Sequence, residues 1–319
     1  MRHNVGMMKL GTSDLSVSPL CLGGNTFGWT ANEQESFEVL DAYVAGGGNF
    51  IDSADAYSHW IPGNSGGESE TILGNWMKAR GNRESVVIAT KVGMLPGFTA
   101  LTADNIVTAV DNSLRRLQTD YIDLYYAHKD DPDTDQLETM TAFDGLVKAG
   151  KVRNIAASNY SADRLQSALD VAGANGLTKF VALQNLYNLV ERGAYEGALR
   201  DVVERNNLVS LPYYSLAKGF LTGKYRVKGE TESGRAAGAE VYLDTNGPKV
   251  LAAMDTVAAA HGVSLTTIAL AWVAAQPTIA SPIASARVVS QLPDLLAMAA
   301  VTLSESELRQ LDEASAVTA

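Results

Sequence analysis

The sequence predicts an α/β fold, a (β/α)8 barrel built as a single domain over residues 1–319. Short runs of β-branched and other apolar residues alternate with longer segments of helical period, and the turn from strand to helix recurs roughly every 25 to 40 residues, the size of one βα unit. Such alternation predicts parallel strands covered by helices. The predicted strands number about eight, which favours a closed barrel.

The elements of the first half follow one another regularly. An N-terminal hairpin cap is expected over residues 1–18. Strands are expected at 19–22, 50–52, 86–91, 122–128 and 154–158, and helices at 31–45, 102–117, 135–149 and 161–174. The helical segments carry apolar residues at helical spacing, and capping residues such as Ser161 and Gly150 stand at their ends.

The second half repeats the pattern and then departs from it. Strands are expected at 180–184, 208–214 and 279–283, with a helix at 195–205. Residues 224–247 are Gly-rich and polar without a clear period, and a loop of this length in a compact domain is usually a functional lid or is disordered. Further helices are expected at 248–260, at 264–275 and from 289, and residues 304–314 have the pattern of a capped amphipathic helix.

Composition and charge exclude several classes of function. The net charge is −11 and the pI is near 4.9, which argues against a nucleic-acid-binding surface because such a surface is basic. Cys21 is the single cysteine, so neither an internal disulfide nor a cysteine-based metal site is expected, and its apolar strand favours a buried core residue over a nucleophile. With neither a signal peptide nor a membrane-spanning segment of about 18 apolar residues, a cytoplasmic protein is predicted.

The other common α/β architecture is a doubly wound sheet that binds a dinucleotide. It requires a G-x-G-x-x-G motif between its first strand and helix, and the chain has 28 glycines but no such motif. The glycines at 46–48 precede a strand and follow a helical pattern, a position typical of a helix C-terminus. The barrel is therefore the preferred architecture.

Four polar residues end successive strands or follow them closely. Asp52 and Tyr57 lie in FIDSADAY, Lys91 ends VVIATK, and His128 ends DLYYAH. Because the active site of such a barrel lies at the carboxyl ends of its strands, these side chains are expected to meet. The ammonium is expected to lower the tyrosine pKa from its usual value of about 10, the carboxylate to hold the ammonium, and the imidazole to orient a substrate oxygen. The set predicts proton donation to an oxygen that gains negative charge.

Each of these residues also has a structural explanation when it is taken alone. An Asp at a strand end is commonly a cap, a Tyr near Trp60 commonly packs, a Lys after a strand is commonly solvated, and a His is commonly bonded to backbone. Their occurrence at successive strand ends favours the catalytic interpretation. No metal is expected, because the histidines are His3, His59, His128 and His261 and form no H-x-x-x-H pattern.

The later strand ends carry groups that suit a hydride-donating cofactor. These residues are Ser158, Asn159, Gln184, Tyr214, Ser285 and Arg287. The hydroxyl and amide groups suit a carboxamide such as that of nicotinamide, although the first two are also candidate helix caps, and the tyrosine ring suits stacking. The last two precede a helix, a suitable place for a phosphate.

The chain resembles the aldo-keto reductases over nearly its whole length. The similarity rests on FIDSADAY, GESETILG, VVIATKVG and DLYYAHKDDP, on GKVR with IAASNY, and on ALQNLYN and YYSLAKGFLTGKY, in the family's order. Together these motifs are highly specific. The resemblance implies a (β/α)8 barrel that binds NADP(H) in extended form, with NAD(H) as the alternative cofactor.

The resemblance also implies roles for individual residues. Tyr57 is implied as the proton donor, Lys91 and Asp52 as its tuning pair, and His128 as the orienting residue. From the nicotinamide to the adenosine end, the implied cofactor-binding residues are Ser158, Asn159, Gln184, Tyr214, Ser215, Leu216, Lys218, Ser285, Arg287 and Gln291. The first three would hold the carboxamide, the tyrosine would stack, the next three would line the pyrophosphate beneath the loop 224–247, and the last three would meet the adenosine.

Three positions depart from the pattern common in the family. Leu216 stands where Pro is common, Ile283 and Ala284 stand where Pro-Gly is often found, and Leu295 replaces an Asn that often contacts adenine. These changes concern the adenosine half rather than the catalytic set. Arg287 still favours NADPH, because a guanidinium pairs well with a 2′-phosphate.

The sequence therefore predicts a reductase that converts an aldehyde or ketone to an alcohol, reversibly. Its substrate is expected to be a small carbonyl compound or a sugar-like molecule, and no nucleic-acid or membrane partner is expected. The substrate pocket is predicted at Trp29, Trp60, Met94 and Leu95, in loops beside the catalytic residues. The alternative is a barrel that binds NADP(H) and reports redox state to a partner with little turnover, as potassium-channel β subunits of this family look to do.

Overall fold

Eight parallel strands form the centre of the molecule, which is described by a computed structural model over residues 6–230 and 236–316. A short antiparallel hairpin precedes them. In chain order the strands are β1 (Met8–Lys9) and β2 (Ser16–Val17) in the hairpin, then β3 (Cys21–Gly23), β4 (Phe50–Asp52), β5 (Val87–Val92), β6 (Ile122–Ala127), β7 (Val152–Ser158), β8 (Ala182–Gln184), β9 (Val209–Ser210) and β10 (Ile283–Ala284). The parallel strands pair in the order β10-β3-β4-β5-β6-β7-β8-β9.

Backbone hydrogen bonds join the two edges of this sheet. The amide of Ser210 donates to the carbonyl oxygen of Thr278 (2.7 Å), the amide of Ala280 donates to Ser210 (3.0 Å), and the amide of Ile283 donates to Pro212 (2.8 Å). β10 pairs with β3 on its other side. The sheet thus curls into a (β/α)8 barrel, and the predicted fold class is confirmed.

Helices cover the outside of the barrel. In chain order they are α1 (Glu33–Ala45), α2 (Glu68–Arg80), α3 (Ala103–Leu117), α4 (Gln136–Lys148), α5 (Ala162–Ala174), α6 (Ala198–Arg205), α7 (Ala236–Glu240), α8 (Gly247–His261), α9 (Leu265–Ala274), α10 (Leu292–Leu296) and α11 (Glu305–Ser315). Side-chain caps explain where several begin. Ser161 accepts a hydrogen bond from the amide of Arg164 at α5, and Ser304 forms a reciprocal capping box with Glu307 at α11.

The region after β9 differs from the prediction. Part of the segment 224–247, predicted as a loop, forms α7, a 3-10 turn at Val241–Asp244 and the start of α8. Tyr242 is buried, and its ring centroid lies 5.4 Å from that of Phe220. A single apolar anchor thus orders elements too short to give a periodic pattern. The middle of the predicted loop, 231–235, lies outside the described residues, as do residues 1–5 of the predicted hairpin cap.

An inner apolar cluster fills the barrel. It contains Cys21, Phe50 and Leu124, and the hairpin adds Leu10 and Val17, so the hairpin closes the amino end of the barrel. Burying one large apolar side chain stabilises a fold by about 1.5–3 kcal/mol. Burial also raises the pKa of the Cys21 thiol well above its usual value, which leaves it an un-ionised core residue.

A larger outer cluster lies between the strands and the helices. Its fully buried side chains include Trp76, Phe143 and Trp272. Within residues 6–230 and 236–316, no single helix is long and apolar enough to cross a membrane; α8 and α9 meet such a criterion only as a pair, and they are bent by 97°.

The register of the strands brings the polar residues to one end of the barrel. Lys91 in β5 is aligned with Tyr126 in β6, and Ser158 ends β7 beside Gln184, which ends β8. Asp52 is the last residue of β4. Because the strands are parallel, their carboxyl ends lie together, opposite the hairpin.

Candidate active site

The structure brings the four strand-end residues together. Lys91 Nζ lies 2.6 Å from Asp52 Oδ2 and 2.9 Å from the Tyr57 hydroxyl, and it donates a third hydrogen bond to the carbonyl oxygen of Ser53 (2.6 Å). The Tyr57 hydroxyl donates to Asp52 Oδ2 (3.0 Å). The ring of His128 lies 6.1 Å from the ring of Tyr57. The ammonium therefore contacts the carboxylate and the phenol at once, with the imidazole beside them.

The direction of the Tyr57 pKa is opposite to the prediction. The ammonium was expected to lower it, but burial and the Asp52 carboxylate, which also accepts the phenolic hydrogen, raise the Tyr57 pKa well above its usual value. Burial likewise lowers the pKa of Lys91, although Asp52 opposes this effect. The resting site thus holds a neutral phenol, which is a proton donor and not a base.

His128 is held in its neutral form. Burial, followed by the positive charges of Lys91 and Lys129, lowers the pKa of His128 well below its usual value. Among the described residues, its Nδ1 is buried without a hydrogen-bond partner. A neutral imidazole carries one N–H, so His128 can donate a single hydrogen bond into the site.

The predicted carboxamide-binding amides contact the catalytic set directly. Gln184 Nε2 donates to Asp52 Oδ1 (2.9 Å), so both carboxylate oxygens of Asp52 are engaged. Asn159 Nδ2 donates to the carbonyl oxygen of His128 (2.8 Å) and to Ser158 Oγ (3.0 Å). These amides therefore hold Asp52 and His128 in place, through contacts that sequence spacing did not reveal.

A cavity of about 1050 Å³ opens above these residues at the carboxyl end of the barrel. The predicted residues on its surface are Asp52, Tyr57, His128, Asn159, Gln184, Tyr214, Ser215, Leu216, Lys218, Ser285, Gln291, Trp29, Trp60 and Met94. Four other predicted residues do not line it. Lys91 and Ser158 are fully buried behind it, Arg287 is exposed outside it, and Leu95 forms a small antiparallel bridge with Phe98.

Ile283, Ala284 and Leu295, noted above as departures from the family pattern, also line the cavity. Several other cavity residues were not predicted from the sequence. They are Gly23, Asn25, Ala56, His59, Lys129, Tyr213, Gly219, Thr222, Lys224, Ser264, Thr266, Ser290 and Asp294. Asn25 follows β3, and its Oδ1 accepts a hydrogen bond from Ser285 Oγ (2.6 Å). Polar residues just after the other barrel strands were predicted to face the site. The same rule, applied to the first barrel strand, identifies Asn25 as well.

One wall of the cavity is aromatic. The Trp29 and Trp60 rings are 5.6 Å apart in an edge-to-face arrangement, and Trp60 also contacts His59 (5.4 Å) and Tyr57 (6.4 Å). Trp29 and Trp60 remain 36% and 44% exposed. Large apolar rings exposed beside a polar site are typical of a ligand-binding surface.

Unusual backbone conformations concentrate around the cavity. Among the described residues, those outside glycine with a positive φ include Ser58 (70°), Asn159 (56°), Tyr214 (52°), Ala217 (48°) and Lys218 (57°). Such conformations cost of the order of 1–3 kcal/mol each and persist where surrounding contacts hold them. The loops that carry these residues are therefore pre-formed.

The donor set of the cavity fits a nicotinamide dinucleotide. Tyr214 presents a ring that is 48% exposed, and Gln184 offers an amide beside the catalytic residues. Lys218 and Lys224 also line the cavity, and their positive charge suits a pyrophosphate. In contrast, the part of the chain that the structure describes contains no group of three His, Cys, Asp or Glu side chains placed to hold a metal.

Comparison with known proteins gives a consistent result. The model of the Aldo/keto reductase family matches residues 19–316. The chain is 33% identical to Protein tas of Escherichia coli, over 94% of each chain, and 31% identical to norsolorinic acid reductase B of Aspergillus parasiticus, over 95% of this chain and 82% of that protein. It is also 32% identical to the uncharacterized oxidoreductase YrpG of Bacillus subtilis, over 95% and 94% of the two chains.

Proposed function

Because the chain belongs to the aldo/keto reductase family and is an NAD(P)H-dependent oxidoreductase, we propose that it reduces an aldehyde or ketone to an alcohol with NADP(H), reversibly. The single observation that carries the proposal is the contact of the Lys91 ammonium with both Asp52 and Tyr57 at the floor of an open cavity. Reductase names among the relatives support the same class of reaction.

Tyr57 is the proposed proton donor. A bound reduced nicotinamide supplies the hydride, and the protein supplies the proton. In the resting structure the phenolic hydrogen points to Asp52 Oδ2, so it turns toward the substrate oxygen as negative charge develops there. Lys91, 2.9 Å from the phenolic oxygen, stabilises the phenolate that remains, and Asp52 keeps Lys91 in place.

His128 is the proposed orienting residue. Its pKa lies well below the usual value, so it donates a hydrogen bond to the carbonyl oxygen as a neutral imidazole and does not compete with Tyr57 as the acid. Asn159 donates to the carbonyl oxygen of His128 and thereby holds the backbone that carries the ring.

The proposed cofactor site runs along the cavity. Gln184 can keep Asp52 through Nε2 and accept a carboxamide hydrogen at Oε1, because an amide has both a donor and an acceptor end. Ser158 orients Asn159 for the same carboxamide, and Tyr214 stacks on the ring. The pyrophosphate is proposed to lie along Ser215, Leu216 and Lys218. The adenosine is proposed to contact Ser285, Arg287 and Gln291.

NADPH is the preferred cofactor under this proposal. Arg287 is exposed next to the cavity, and its guanidinium forms no hydrogen bond or ion pair within the described residues. It is therefore available for a 2′-phosphate. The initial rates with NADPH and with NADH at equal concentration test this preference, which Arg287→Met should reduce.

The test of the catalytic assignment is a Tyr57→Phe variant. Oxidation of NADPH is followed by absorbance over a panel of aldehydes and ketones, and binding of NADPH is measured separately. Since a positioned general acid contributes about 10²–10⁴-fold, kcat should fall by that factor while the NADPH Kd is nearly unchanged. Tyr121→Phe, at the amino end of β6, is the matched control and should retain full activity.

A Tyr57→Phe variant that keeps near wild-type turnover on a good substrate would exclude Tyr57 as the acid. A wild-type protein that binds NADPH and turns over no carbonyl compound in the panel would instead favour the redox-reporting alternative.

A further inference from the structure

Three lysines line the cavity, although the chain carries a net charge of −11. Lys218 and Lys224 flank the segment after Tyr214, where the pyrophosphate is proposed to lie. Lys129 follows His128 directly, just beyond the carboxyl end of β6, and also lines the cavity. The proposed cofactor therefore leaves one cavity cation unused.

Within the described residues, the two carboxylates that follow Lys129 form no ion pair with it, although Asp131 attracts its charge at longer range. Asp130 forms a two-point ion pair with Arg164, with distances of 2.7 and 2.9 Å. Asp131 accepts hydrogen bonds from the amide of Leu101 (2.8 Å) and the hydroxyl of Thr134 (2.6 Å). Lys129 itself is exposed and makes no hydrogen bond or ion pair within the described residues. Its charge is therefore exposed at the cavity.

The carboxylates of the cavity do not offset this charge either. Those on its surface are Asp52 and Asp294. Asp52 is already bonded by Lys91 and Gln184. Asp294 adjoins α9 through its backbone, which accepts from Thr267, and belongs to the adenosine side of the proposed site. The mouth beside His128 thus combines a cation with an aromatic wall.

We propose that the substrate is a carbonyl compound with an apolar ring that packs against Trp29 and Trp60 and with a carboxylate that binds Lys129. This inference rests on the proposed reductase function and specifies its substrate class. Exposed tryptophan rings pack well against a flat aromatic ring, and an exposed ammonium that forms no ion pair within the described residues attracts an anion. Lys129 is then a specificity-determining residue rather than a catalytic one.

A matched pair of substrates tests the inference. Benzaldehyde and 4-carboxybenzaldehyde present the same ring and aldehyde and differ in one negative charge. The wild-type protein should show the higher kcat/KM for the carboxylate. Lys129→Met should lower that value about tenfold, mainly through KM, because a hydrogen bond between charged groups is lost, and should change kcat/KM for benzaldehyde by no more than about twofold.

Two further variants serve as controls. Lys129→Arg keeps the charge and should retain the preference for the carboxylate. Lys148→Met removes an exposed lysine that pairs with Asp144 on α4, away from the cavity, and should leave both substrates unaffected. Added salt should weaken the use of the carboxylate substrate alone, since it screens exposed charges.

The inference is wrong if Lys129→Met lowers activity on both substrates equally, or if the wild-type protein does not prefer the carboxylate. Failure to turn over either substrate would count against the proposed reductase function and not against the anion site. In that event, the Kd of benzoate, measured by tryptophan fluorescence for the wild-type and Lys129→Met proteins, tests the anion site. Weaker binding to the Lys129→Met protein supports the anion site, and equal binding overturns it.

Discussion

Asp55 makes the protein less stable as the pH rises. Its side chain is buried, only 1% exposed, and neither carboxylate oxygen has a hydrogen-bond partner of good geometry among the described residues. Burial and the negative charge of Glu70 raise the Asp55 pKa from 3.8 to about 8, and Arg116, the amide of Ala56 and Lys91 offset only part of this effect. The folded protein thus keeps this carboxyl neutral at neutral pH.

The sign of the pH dependence follows from that rise. The stabilising contribution of the neutral carboxyl is complete below pH 3.8, where the unfolded chain also binds the proton, and it is lost as the pH rises to about 8. A rise of about four pKa units corresponds to about 6 kcal/mol as an upper limit. Asp55→Asn keeps the shape without the charge, so its free energy of unfolding should gain about 4 kcal/mol relative to wild type between pH 5 and pH 8.

Urea unfolding at a series of pH values measures this difference. The comparison uses the slope with pH, so a constant offset from the amide itself does not affect it. Asp170→Asn, which changes an exposed carboxyl on α5, is the control and should follow the wild-type slope. Equal slopes for wild type and Asp55→Asn would refute the account of a buried neutral carboxyl.

Two further predictions concern buried polar contacts. Gln184→Ala removes the donor that holds Asp52 Oδ1, so kcat at saturating NADPH should fall about tenfold. The NADPH Kd is measured separately by titration, so that an effect on cofactor binding can be told apart from the effect on kcat. A kcat that changes only in proportion to cofactor binding would assign Gln184 to the cofactor alone. Arg116→Met removes the guanidinium that lies 2.6 Å from the buried Glu70 carboxylate. The free energy of unfolding, measured with denaturant, should therefore fall by about 3–5 kcal/mol, and adding Glu70→Gln should restore much of that loss. A double variant no more stable than the single one would contradict this reasoning.

The sequence was sufficient to predict the barrel and the proximity of the four strand-end residues Asp52, Tyr57, Lys91 and His128. Parallel strands have a fixed direction, so residues that end them, such as Asp52, Lys91 and Gln184, share one end of the barrel whatever the details of packing. The family motifs identify the same positions. Both predictions depend only on the order of residues along the chain, which is known from the sequence.

Contacts within the site could not be predicted in the same way. Burial of Tyr57 and its closeness to the Asp52 carboxylate raise its pKa, and neither the depth of burial nor this distance can be read from the order of residues. Likewise, Gln184 reaches Asp52 across 132 positions of the chain, a pairing that neither periodicity nor spacing can indicate. The helix α7 has only five residues and gives no measurable period.

The hairpin packs against the amino end of the barrel. The cavity opens at the opposite, carboxyl end, which we call the rim. The hairpin residues Leu10 and Val17 join the apolar filling, so the described residues pack the amino end of the barrel. Under the proposed function, substrate and product both pass this rim, where Trp29 and Trp60 line the cavity. A substitution at this rim that slows the dissociation of substrate also slows the release of product. Tighter binding there is therefore expected to lower kcat.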